Sequence, residues 1–287
     1  MTVLIIGGSG FLGTELVRQA VAAGLETAAT FATTAPGTTS GCAPDVAWHA
    51  LDLRDPERVT GVVKDVAPSM VVNLASSDSD WAITADGAVR VAMAAAEQGA
   101  RLVHVSSDAV FSGARDRYDE TCLPDPLTPY GAAKAAGETA VRLLLPSAAV
   151  ARTSLIIGRG GSVHERMVHA LAAGTRDGVL FTDDIRCPVH VTDLAAALLK
   201  LALSDAAGVF HLAGPDAISR HDLGVLIARR DGLDAGRLPA GRRADVPLPG
   251  PLDVRLDSRA TQERLRIRLR GAREFLREDT PRPPRRA

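Results

Sequence analysis

Residues 102–138 read LVHVSSDAVFSGARDRYDETCLPDPLTPYGAAKAAGE, and this segment holds the strongest functional pattern in the chain. Its apolar start predicts a buried strand that ends in the Ser-Ser-Asp of residues 106–108, and its later part predicts a helix that begins near Thr128. Tyr130 and Lys134 are four residues apart on that helix, so they lie on one face. The phenol and the ammonium can therefore address a single ligand.

The pair of Tyr130 and Lys134 stands out against the composition of the chain. The sequence has only two tyrosines, and only three of its 33 lysine and arginine residues are lysines. An ordinary surface cation would therefore have been an arginine. Lysine is a compact point charge with rotatable donors, which suits it to hold a ribose hydroxyl beside a phenol. The pair indicates a functional site rather than a solvated helix face.

Composition and charge limit the classes of protein to consider. With 287 residues, of which 46% are apolar, the chain can form one large α/β unit with an appended lobe. Basic and acidic residues nearly cancel, at 33 against 34, so no overall basic field favours a nucleic-acid partner. The Pro- and Arg-rich residues 280–287 are interpreted as a frayed end rather than a binding arm.

Several features favour a cytoplasmic location. No apolar run is long enough to span a bilayer, and residues 1–6 lead directly into a glycine loop instead of a signal peptide, so we expect no membrane partner. Cys42, Cys122 and Cys187 are odd in number and far apart, which favours reduced thiols over a disulfide framework or a zinc site. The histidines lack the spacing of metal ligands, so we expect no metal.

The beginning of the chain has the pattern of a dinucleotide site. Residues 3–6 form a short apolar run typical of a buried parallel strand, and a helical pattern later ends at Gly24. Between them, Gly7, Gly10 and Gly13 form a Gly-x-x-Gly-x-x-Gly pattern. Such a loop brings backbone N–H groups and a helix N-terminus up to a pyrophosphate. Glycine triplets are common, but the position between a strand and a helix supports this interpretation.

The end of the second predicted strand bears on the choice of cofactor. NAD-preferring sites usually present an acid there to the ribose 2′-OH. In this chain Thr33 and Thr34 stand near that point, with neither an acid nor an arginine. Their hydroxyls suit a 2′-phosphate, which favours NADP, and NAD remains the alternative. Asp52, just past a third strand, either meets the adenine amino group or caps the next helix.

Short apolar runs alternate with helical patterns along the first half of the chain. The predicted buried strands lie at residues 3–6, 27–31, 46–50, 69–74 and 101–106. This order predicts an α/β fold, a Rossmann-type doubly wound parallel sheet, whose ligands bind beyond the strand ends where Gly10, Ala75 and Ser107 lie. We expect residues 1–150 to form the NAD(P)-binding domain. Residues 151–287 should form mainly a smaller C-terminal substrate lobe, with some segments returning to the sheet.

The set of Ser107, Tyr130 and Lys134 fits hydride transfer to a carbonyl group. A carbonyl that accepts hydride builds negative charge on its oxygen, so the site must supply a proton and a hydrogen bond there. Tyr130 is the expected proton donor, and Ser107 is expected to orient the substrate oxygen. A phenol with a pKa of about 10 works poorly near neutral pH, but Lys134 and an oxidised nicotinamide both favour the phenolate. Tyr118 has no lysine four residues on and is assigned to packing or a lid contact.

These motifs make the chain similar to extended short-chain dehydrogenase/reductases, and within them it most resembles the dTDP-4-dehydrorhamnose reductase family. The family pattern Ser-Thr-Asp-Tyr-Val-Phe-x-Gly is matched by residues 106–113, and Tyr-Gly-x-x-Lys-x-x-Gly-Glu by residues 130–138. Further likeness, which reaches nearly the whole chain, is found at residues 117–120, 152–154, 187–195, 209–214 and 255–257.

The resemblance implies an NAD(P)H-dependent reductase of a keto group on a nucleotide-linked 4-keto-6-deoxysugar, and it leaves room for a homodimer. It implies catalytic roles for Ser107, Tyr130 and Lys134, and we expect substrate contacts at Ser107, Asp108 and Leu155. The expected cofactor contacts are Gly7, Gly10, Phe11, Leu12, Thr33, Asp52, Leu53, Ala75, Ser76, Ser106, Tyr130 and Lys134.

Two positions depart from the family pattern. Ala109 stands where the family has a tyrosine, and Leu155 stands where it has a tryptophan. Both aromatic side chains border the sugar in the family. The loss of two large apolar walls suggests a bulkier or differently shaped substrate than the rhamnose precursor.

Two other functions remain open at this point. An epimerase or dehydratase would keep its nicotinamide bound and return the hydride, but that class often has additional acid/base residues where this chain has Ala109. A non-catalytic regulatory subunit that binds NADP is the third interpretation, because the regulatory beta subunit of methionine adenosyltransferase resembles the same family. The intact set of Ser107, Tyr130 and Lys134 argues against it.

Overall fold

The structure of the chain is a computed structural model, and it describes residues 1–34, 46–247 and 249–278. Cys42 and residues 280–287, on which expectations were stated above, lie outside the described residues. The strands are β1 Thr2–Ile6, β2 Glu26–Phe31, β3 Ala47–Ala50, β4 Met70–Asn73, β5 Arg101–Ser107, β6 Ala149–Thr153, β7 Ile156–Ile157, β8 Leu180–Phe181, β9 Ile185–Arg186, β10 Val189–His190, β11 Gly208–Leu212, β12 Ile218–Ser219 and β13 Ala240–Gly241. The α-helices are α1 Phe11–Ala22, α2 Pro56–Val66, α3 Gly87–Gln98, α4 Pro129–Leu144, α5 Val163–Ala173, α6 Val191–Ala202, α7 Arg220–Arg230, α8 Arg259–Leu265 and α9 Ala272–Glu278.

Seven of these strands form one sheet, in the order β11-β6-β5-β4-β1-β2-β3. Every neighbouring pair in it is parallel. The chain begins in the middle, runs outward through β2 and β3, and returns to the other side of β1 with β4, so the switch point lies between β1 and β4. The predicted Rossmann-type doubly wound sheet is confirmed.

Both faces of the sheet are covered, which explains why its strands are apolar at consecutive positions. Val3 and Ile5 of β1 pack in a cluster with α1 and α6 on one face. Leu4 and Ile6 pack in a second cluster with α2, α3 and α4 on the other face. Because side chains alternate along a strand, a strand with two covered faces favours apolar residues at every position rather than at every second one.

The helices begin where the local signals predict. Asp55 accepts a hydrogen bond from the Arg58 N–H and precedes Pro56, so it is the N-cap of α2. Thr128 accepts one from the Gly131 N–H and precedes Pro129, and it is the N-cap of α4. Proline suits the first helical position because its missing N–H would have no partner there. A π-helical turn at Ala82–Asp86 leads directly into α3.

A third cluster of buried side chains lies in the C-terminal half, among α5, α7, α9 and the short strands β7, β8 and β12. Meanwhile α6 and β11 return to the central sheet, β11 as its edge strand beside β6. Within the described residues, no helix combines the length and the apolar character needed to cross a bilayer.

Two helical glycines provide a paired test of the packing around the glycine loop. A Cβ on Gly13 of α1 would collide with the backbone of Gly7 and Gly8, whereas a Cβ on Gly61 of α2 would meet open space. We expect Gly13→Ala to lower the free energy of unfolding by roughly 1–3 kcal/mol. Gly61→Ala should raise it by about 0.5–1 kcal/mol, because alanine is the better helix former. Urea unfolding measures both, and a Gly13→Ala protein as stable as Gly61→Ala would contradict the close approach.

Candidate active site

A cleft of about 610 Å³ opens beyond the carboxyl ends of β1, β4, β5 and β6. It lies between the central sheet and the C-terminal half of the chain, whose residues form its far wall. The predicted site residues that line it are Phe11, Leu12, Ser76, Ser106, Ser107, Asp108, Tyr130, Lys134 and Leu155. The predicted cofactor residues that do not line it are Gly7, Gly10, Thr33, Asp52, Leu53 and Ala75.

The glycine loop forms a tight turn that leaves the N-terminus of α1 uncapped. Gly7 has a φ of +81°, and a Cβ there would press within 3.1 Å of the Ala75 backbone nitrogen. Its N–H donates to Thr30 Oγ1 at 3.0 Å, which fixes the end of β1 against β2. Gly10 precedes α1 without a side-chain cap, and the first turn holds no acid. The α1 N-terminus therefore keeps backbone N–H groups available for an anion.

Of the residues expected to contact the adenosine part of the cofactor, Asp52 and Leu53 are already engaged by other parts of the protein. The Asp52 carboxylate receives three hydrogen bonds from the Arg54 side chain, at 2.7–3.0 Å, and that pairing lowers its pKa. The next helix is capped by Asp55, so the capping alternative for Asp52 is wrong. Leu53 is buried, and a Cβ on Gly87 would touch its side chain. Thr33 is exposed just beyond β2.

Tyr130 and Lys134 face the cleft from the first turns of α4. The Thr128 hydroxyl accepts from the Gly131 N–H at 3.1 Å, which fixes where the helix begins. The Lys134 side chain is 2% exposed, and its Nζ donates to the Val105 carbonyl oxygen at 3.1 Å. The same Nζ lies 5.9 Å from the centre of the Tyr130 ring. The ammonium is thus anchored to β5 beside the phenol.

Burial dominates the proton affinities of both groups. It raises the pKa of Tyr130 to about 12, with Asp78 and Asp108 acting in the same direction and hydrogen bonds with Ser76 and Ser107 opposing it. In the protein alone, burial dominates this pKa, and the lowering that we expected from Lys134 is not observed. Tyr130 therefore holds its proton near neutral pH, as a proton donor must. Burial also lowers the pKa of Lys134 to about 8, against the influence of Glu138 and Asp78.

Ser107 and Asp108 follow β5 and form the floor of the cleft. Ser107 Oγ accepts from the Ala109 N–H at 3.2 Å and donates to Asp108 Oδ1 at 3.3 Å. The other oxygen of Asp108 accepts from Ser154 Oγ at 2.6 Å and lies 3.7 Å from Arg186 Nε. The Asp108 carboxylate is therefore held on both oxygens by the protein itself.

A buried ion pair supports α4 from behind. Glu138, one turn after Lys134, accepts from Arg152 Nη2 of β6 at 2.8 Å, and both side chains are almost completely buried. The guanidinium also donates to the Cys122 carbonyl oxygen at 3.0 Å and lies 4.9 Å from the centre of the Phe111 ring. The pair fixes the rotation of the helix, and hence the direction in which Tyr130 points.

The far wall of the cleft contains basic residues that the sequence analysis did not single out: Arg166, Arg186, Arg220 and Arg243. Arg186 is buried, pairs with Asp184 at 2.8 Å and donates to the Pro251 carbonyl oxygen at 3.0 Å. Arg220 also pairs with Asp184, at 3.2 Å. No spacing rule joins residues so far apart in sequence. The only sequence signal was that Arg186 directly precedes a segment similar to the family.

Phe11 joins the glycine loop to the far wall. Its ring occupies the space in front of Gly158 and Gly161, where an added Cβ would lie 2.7 Å from ring atoms. The loop that contains these glycines is held by Glu165, which accepts from the N–H groups of Gly158, Gly160 and Ser162 at 2.9–3.2 Å. Only residues without a side chain can therefore face Phe11 at these positions.

Comparison with known proteins gives consistent findings. A family described as the RmlD substrate binding domain matches residues 1–280. A dTDP-4-dehydrorhamnose reductase from Mycobacterium tuberculosis is 33% identical over 260 residues, covering 86% of this chain and 81% of that protein. A dTDP-4-keto-6-deoxy-D-glucose reductase from Streptomyces niveus is 30% identical over 247 residues, covering 82% and 80%. The crystal structure of dTDP-4-dehydrorhamnose reductase from Bacillus anthracis str. Ames in complex with NADP superimposes with a TM-score of 0.79 at 22% identity, covering 96% of this chain and 97% of that one.

The burial of Lys134 should be measurable as a pH dependence of stability. Its pKa falls from about 10.4 in the unfolded chain to about 8 in the fold. The unfolded chain therefore binds more protons between these values, so this group adds stability as the pH rises from about 8 to about 10.4. Lys134→Met should be more stable than the unchanged protein by an amount that shrinks by about 3 kcal/mol over that interval. Urea unfolding at pH 7 and pH 10.4 measures it, and a difference that does not vary with pH contradicts the assignment.

Proposed function

Because the chain belongs to the RmlD substrate-binding domain family, we propose that it is an NAD(P)H-dependent reductase of a keto group on a nucleotide-linked 4-keto-6-deoxysugar. The observation that carries the proposal is that Tyr130 and Lys134 line the same cleft as Ser107, beside a glycine loop fitted to a diphosphate. The relatives from Mycobacterium tuberculosis and Streptomyces niveus carry the names of reductases of such sugars.

The proposed roles follow from the position of each group. The glycine loop and the N-terminus of α1 hold the diphosphate of the dinucleotide, and Lys134 holds the nicotinamide ribose. The bound dinucleotide supplies the hydride. Ser107 donates a hydrogen bond to the substrate oxygen, and Tyr130 gives it a proton as its negative charge grows. Because Tyr130 is protonated at neutral pH, it enters the reaction in the form that a reductase needs.

NADP is the proposed cofactor, with NAD as the alternative. The solved relative from Bacillus anthracis holds NADP. In this chain Thr33 is exposed beyond β2, where a carboxylate would repel a 2′-phosphate. The paired carboxylate of Asp52 already has its charge balanced by Arg54.

The proposed substrate fits the polarity of the cleft. The arginines of the far wall suit the diphosphate of a nucleotide sugar, and Ser107 and Tyr130 lie at the opposite side. Ala109 and Leu155, where the family has aromatic side chains, both line the cleft. We therefore propose a sugar whose shape differs from that of dTDP-4-dehydrorhamnose.

The proton-donor role can be tested with the two tyrosines of the chain. Tyr130→Phe should lower NADPH oxidation with a dTDP-linked 4-keto-6-deoxysugar by roughly 10²–10⁴-fold, since it removes the proton donor, while NADPH binding is retained. Tyr118→Phe is the matched control: Tyr118 is fully buried away from the cleft, and its hydroxyl oxygen accepts from the Arg115 N–H at 3.2 Å. Its turnover should stay close to that of the unchanged protein.

Two outcomes of this experiment would reject parts of the proposal. Full turnover by Tyr130→Phe would exclude the proposed proton donor. NADPH binding by the unchanged protein without oxidation on any ketosugar would instead support the regulatory interpretation.

The cofactor preference can be tested at Thr33. Thr33→Asp places a carboxylate beside the 2′-phosphate, so the ratio of kcat/KM for NADPH to that for NADH should fall by about tenfold or more. Thr60→Asp, on the exposed side of α2, makes the same charge change away from the cleft and should leave the ratio unaltered. A ratio that is equal in both variants would show that Thr33 does not border the ribose.

A further inference from the structure

Asp108 is a buried carboxylate directly beside the group proposed to bind the reacting carbonyl. It lines the cleft and is 6% exposed. Its Oδ2 accepts from Ser154 Oγ at 2.6 Å and lies 3.7 Å from Arg186 Nε. Its Oδ1 accepts from Ser107 Oγ at a longer distance, 3.3 Å. One oxygen is therefore firmly held, and the other depends, among the residues that the structure describes, on the hydroxyl of Ser107.

The proposed reaction takes this hydroxyl away from Asp108. A serine hydroxyl has one hydrogen, and in the proposed reaction Ser107 donates it to the substrate carbonyl. Ser107 Oγ stays in place, because it also accepts from the Ala109 N–H at 3.2 Å. Asp108 Oδ1 then has no donor, in a cleft from which the substrate has displaced water. A buried carboxylate oxygen without a donor is costly, so the substrate itself should supply a new one.

The three polar groups are arranged in the order Tyr130, Ser107, Asp108. Ser107 forms a hydrogen bond with Tyr130 and lies 3.3 Å from Asp108 Oδ1. A carbonyl oxygen that is bound by Tyr130 and Ser107 therefore has the carboxylate on one side only. The substrate atoms nearest to that side belong to the substituent on the neighbouring carbon. A hydroxyl on this carbon would donate to Oδ1 in place of the Ser107 hydroxyl.

The one-sided position of Asp108 also bears on the orientation of the sugar ring. In the proposed function the diphosphate holds the ring through C1, and the carbonyl at C4 lies opposite. Rotation of the ring about the line from C1 to C4 exchanges C3 with C5 and turns the other face of the carbonyl toward the nicotinamide. In a 4-keto-6-deoxyhexose C3 carries a hydroxyl and C5 carries a methyl group. Only one of the two orientations therefore gives Asp108 a donor.

We propose that Asp108 Oδ1 binds the hydroxyl on the carbon next to the reacting carbonyl, and that this hydrogen bond selects the carbonyl face that receives the hydride. The inference rests on the proposed reductase function and specifies its substrate as an α-hydroxy ketone that is reduced to a single epimer. Ala109 and Leu155, which also line the cleft, have aliphatic side chains and cannot replace this acceptor.

The test compares two forms of one dTDP-linked 4-keto-6-deoxyhexose, the 3-hydroxy and the 3-deoxy sugar, with NADPH. The unchanged protein should show a kcat/KM for the 3-hydroxy sugar about tenfold or more above that for the 3-deoxy sugar, which leaves the carboxylate without a donor. NMR of the products reads the configuration at C4. The 3-hydroxy sugar should give one C4 epimer, and the 3-deoxy sugar should give both.

Asp108→Asn keeps the shape of the side chain and removes its charge. The amide oxygen should take the place of Oδ2, because Ser154 donates there and Arg186 lies beside it. The NH2 group then faces Ser107 and offers donors instead of an acceptor. A charge-assisted hydrogen bond is about twice as strong as a neutral one, so even a residual contact should reduce the tenfold preference to about threefold or less. The 3-hydroxy sugar should then give both C4 epimers.

Asp78→Asn is the matched control. Asp78 lines the same cleft, so this variant makes the same change of charge there, but its side chain is exposed and lies in the loop between β4 and the π-helical turn. Asp78→Asn should keep the full preference for the 3-hydroxy sugar and its single C4 epimer.

The outcomes separate the inference from the function on which it rests. Equal kcat/KM for the two sugars with the unchanged protein overturns the inference and leaves the reductase function standing, and this comparison needs no variant to fold. A full preference in an Asp108→Asn protein that binds NADPH overturns the role of Asp108. A single epimer from the 3-deoxy sugar overturns the selection of the carbonyl face by this bond. Oxidation of NADPH with neither sugar overturns the reductase function and the inference together.

Discussion

The candidate site depends on one buried helix face, the side of α4 that packs against β5 and β6. Two charges lie on this face, and each has a partner from the sheet: Lys134 bonds to the Val105 carbonyl oxygen, and Glu138 pairs with Arg152. Buried charges are costly unless they are paired, so the helix can dock in only one rotation. Gly131 allows the close approach, since a Cβ there would collide with the Ala109 carbonyl oxygen. The position of the Tyr130 phenol follows from this docking.

The sheet and the C-terminal half contribute different chemistry to the same cleft. The sheet presents the glycine loop after β1 and Ser107 and Asp108 at the end of β5, on either side of β4, which suits an extended dinucleotide and a reacting carbonyl. The C-terminal half presents arginines held by Asp184, which suit phosphates. In the proposed function, hydride transfer and substrate recognition are therefore carried by separate elements, and changes at positions such as Ala109 and Leu155 can alter the sugar without altering the reaction.

Local patterns were sufficient to predict most of the fold, because each of its signals is short in sequence. The apolar run before Gly7 and the spacing of Tyr130 and Lys134 required only neighbouring residues. The far wall could not be predicted from the chain alone, since Arg186 and Arg220 come together only after β9, β12 and α7 have packed. The direction of the Tyr130 pKa shift was also misjudged for the protein alone, because it is set mainly by burial, which a sequence does not quantify. For Asp52, the neighbouring Arg54 was visible, but the strength of their pairing was not.

The side chain of Phe11 contacts both halves of the cleft. It belongs to the first turn of α1, at the proposed dinucleotide diphosphate, and it also fills the space before Gly158 and Gly161 on the substrate side. Glu165 and Arg230 hold that second loop firmly, so a shift of the ring cannot be absorbed by the loop alone. The ring is therefore a wall shared by the glycine-loop side and the Gly158–Gly161 loop, and a displacement of the ring away from one side would narrow the space on the other.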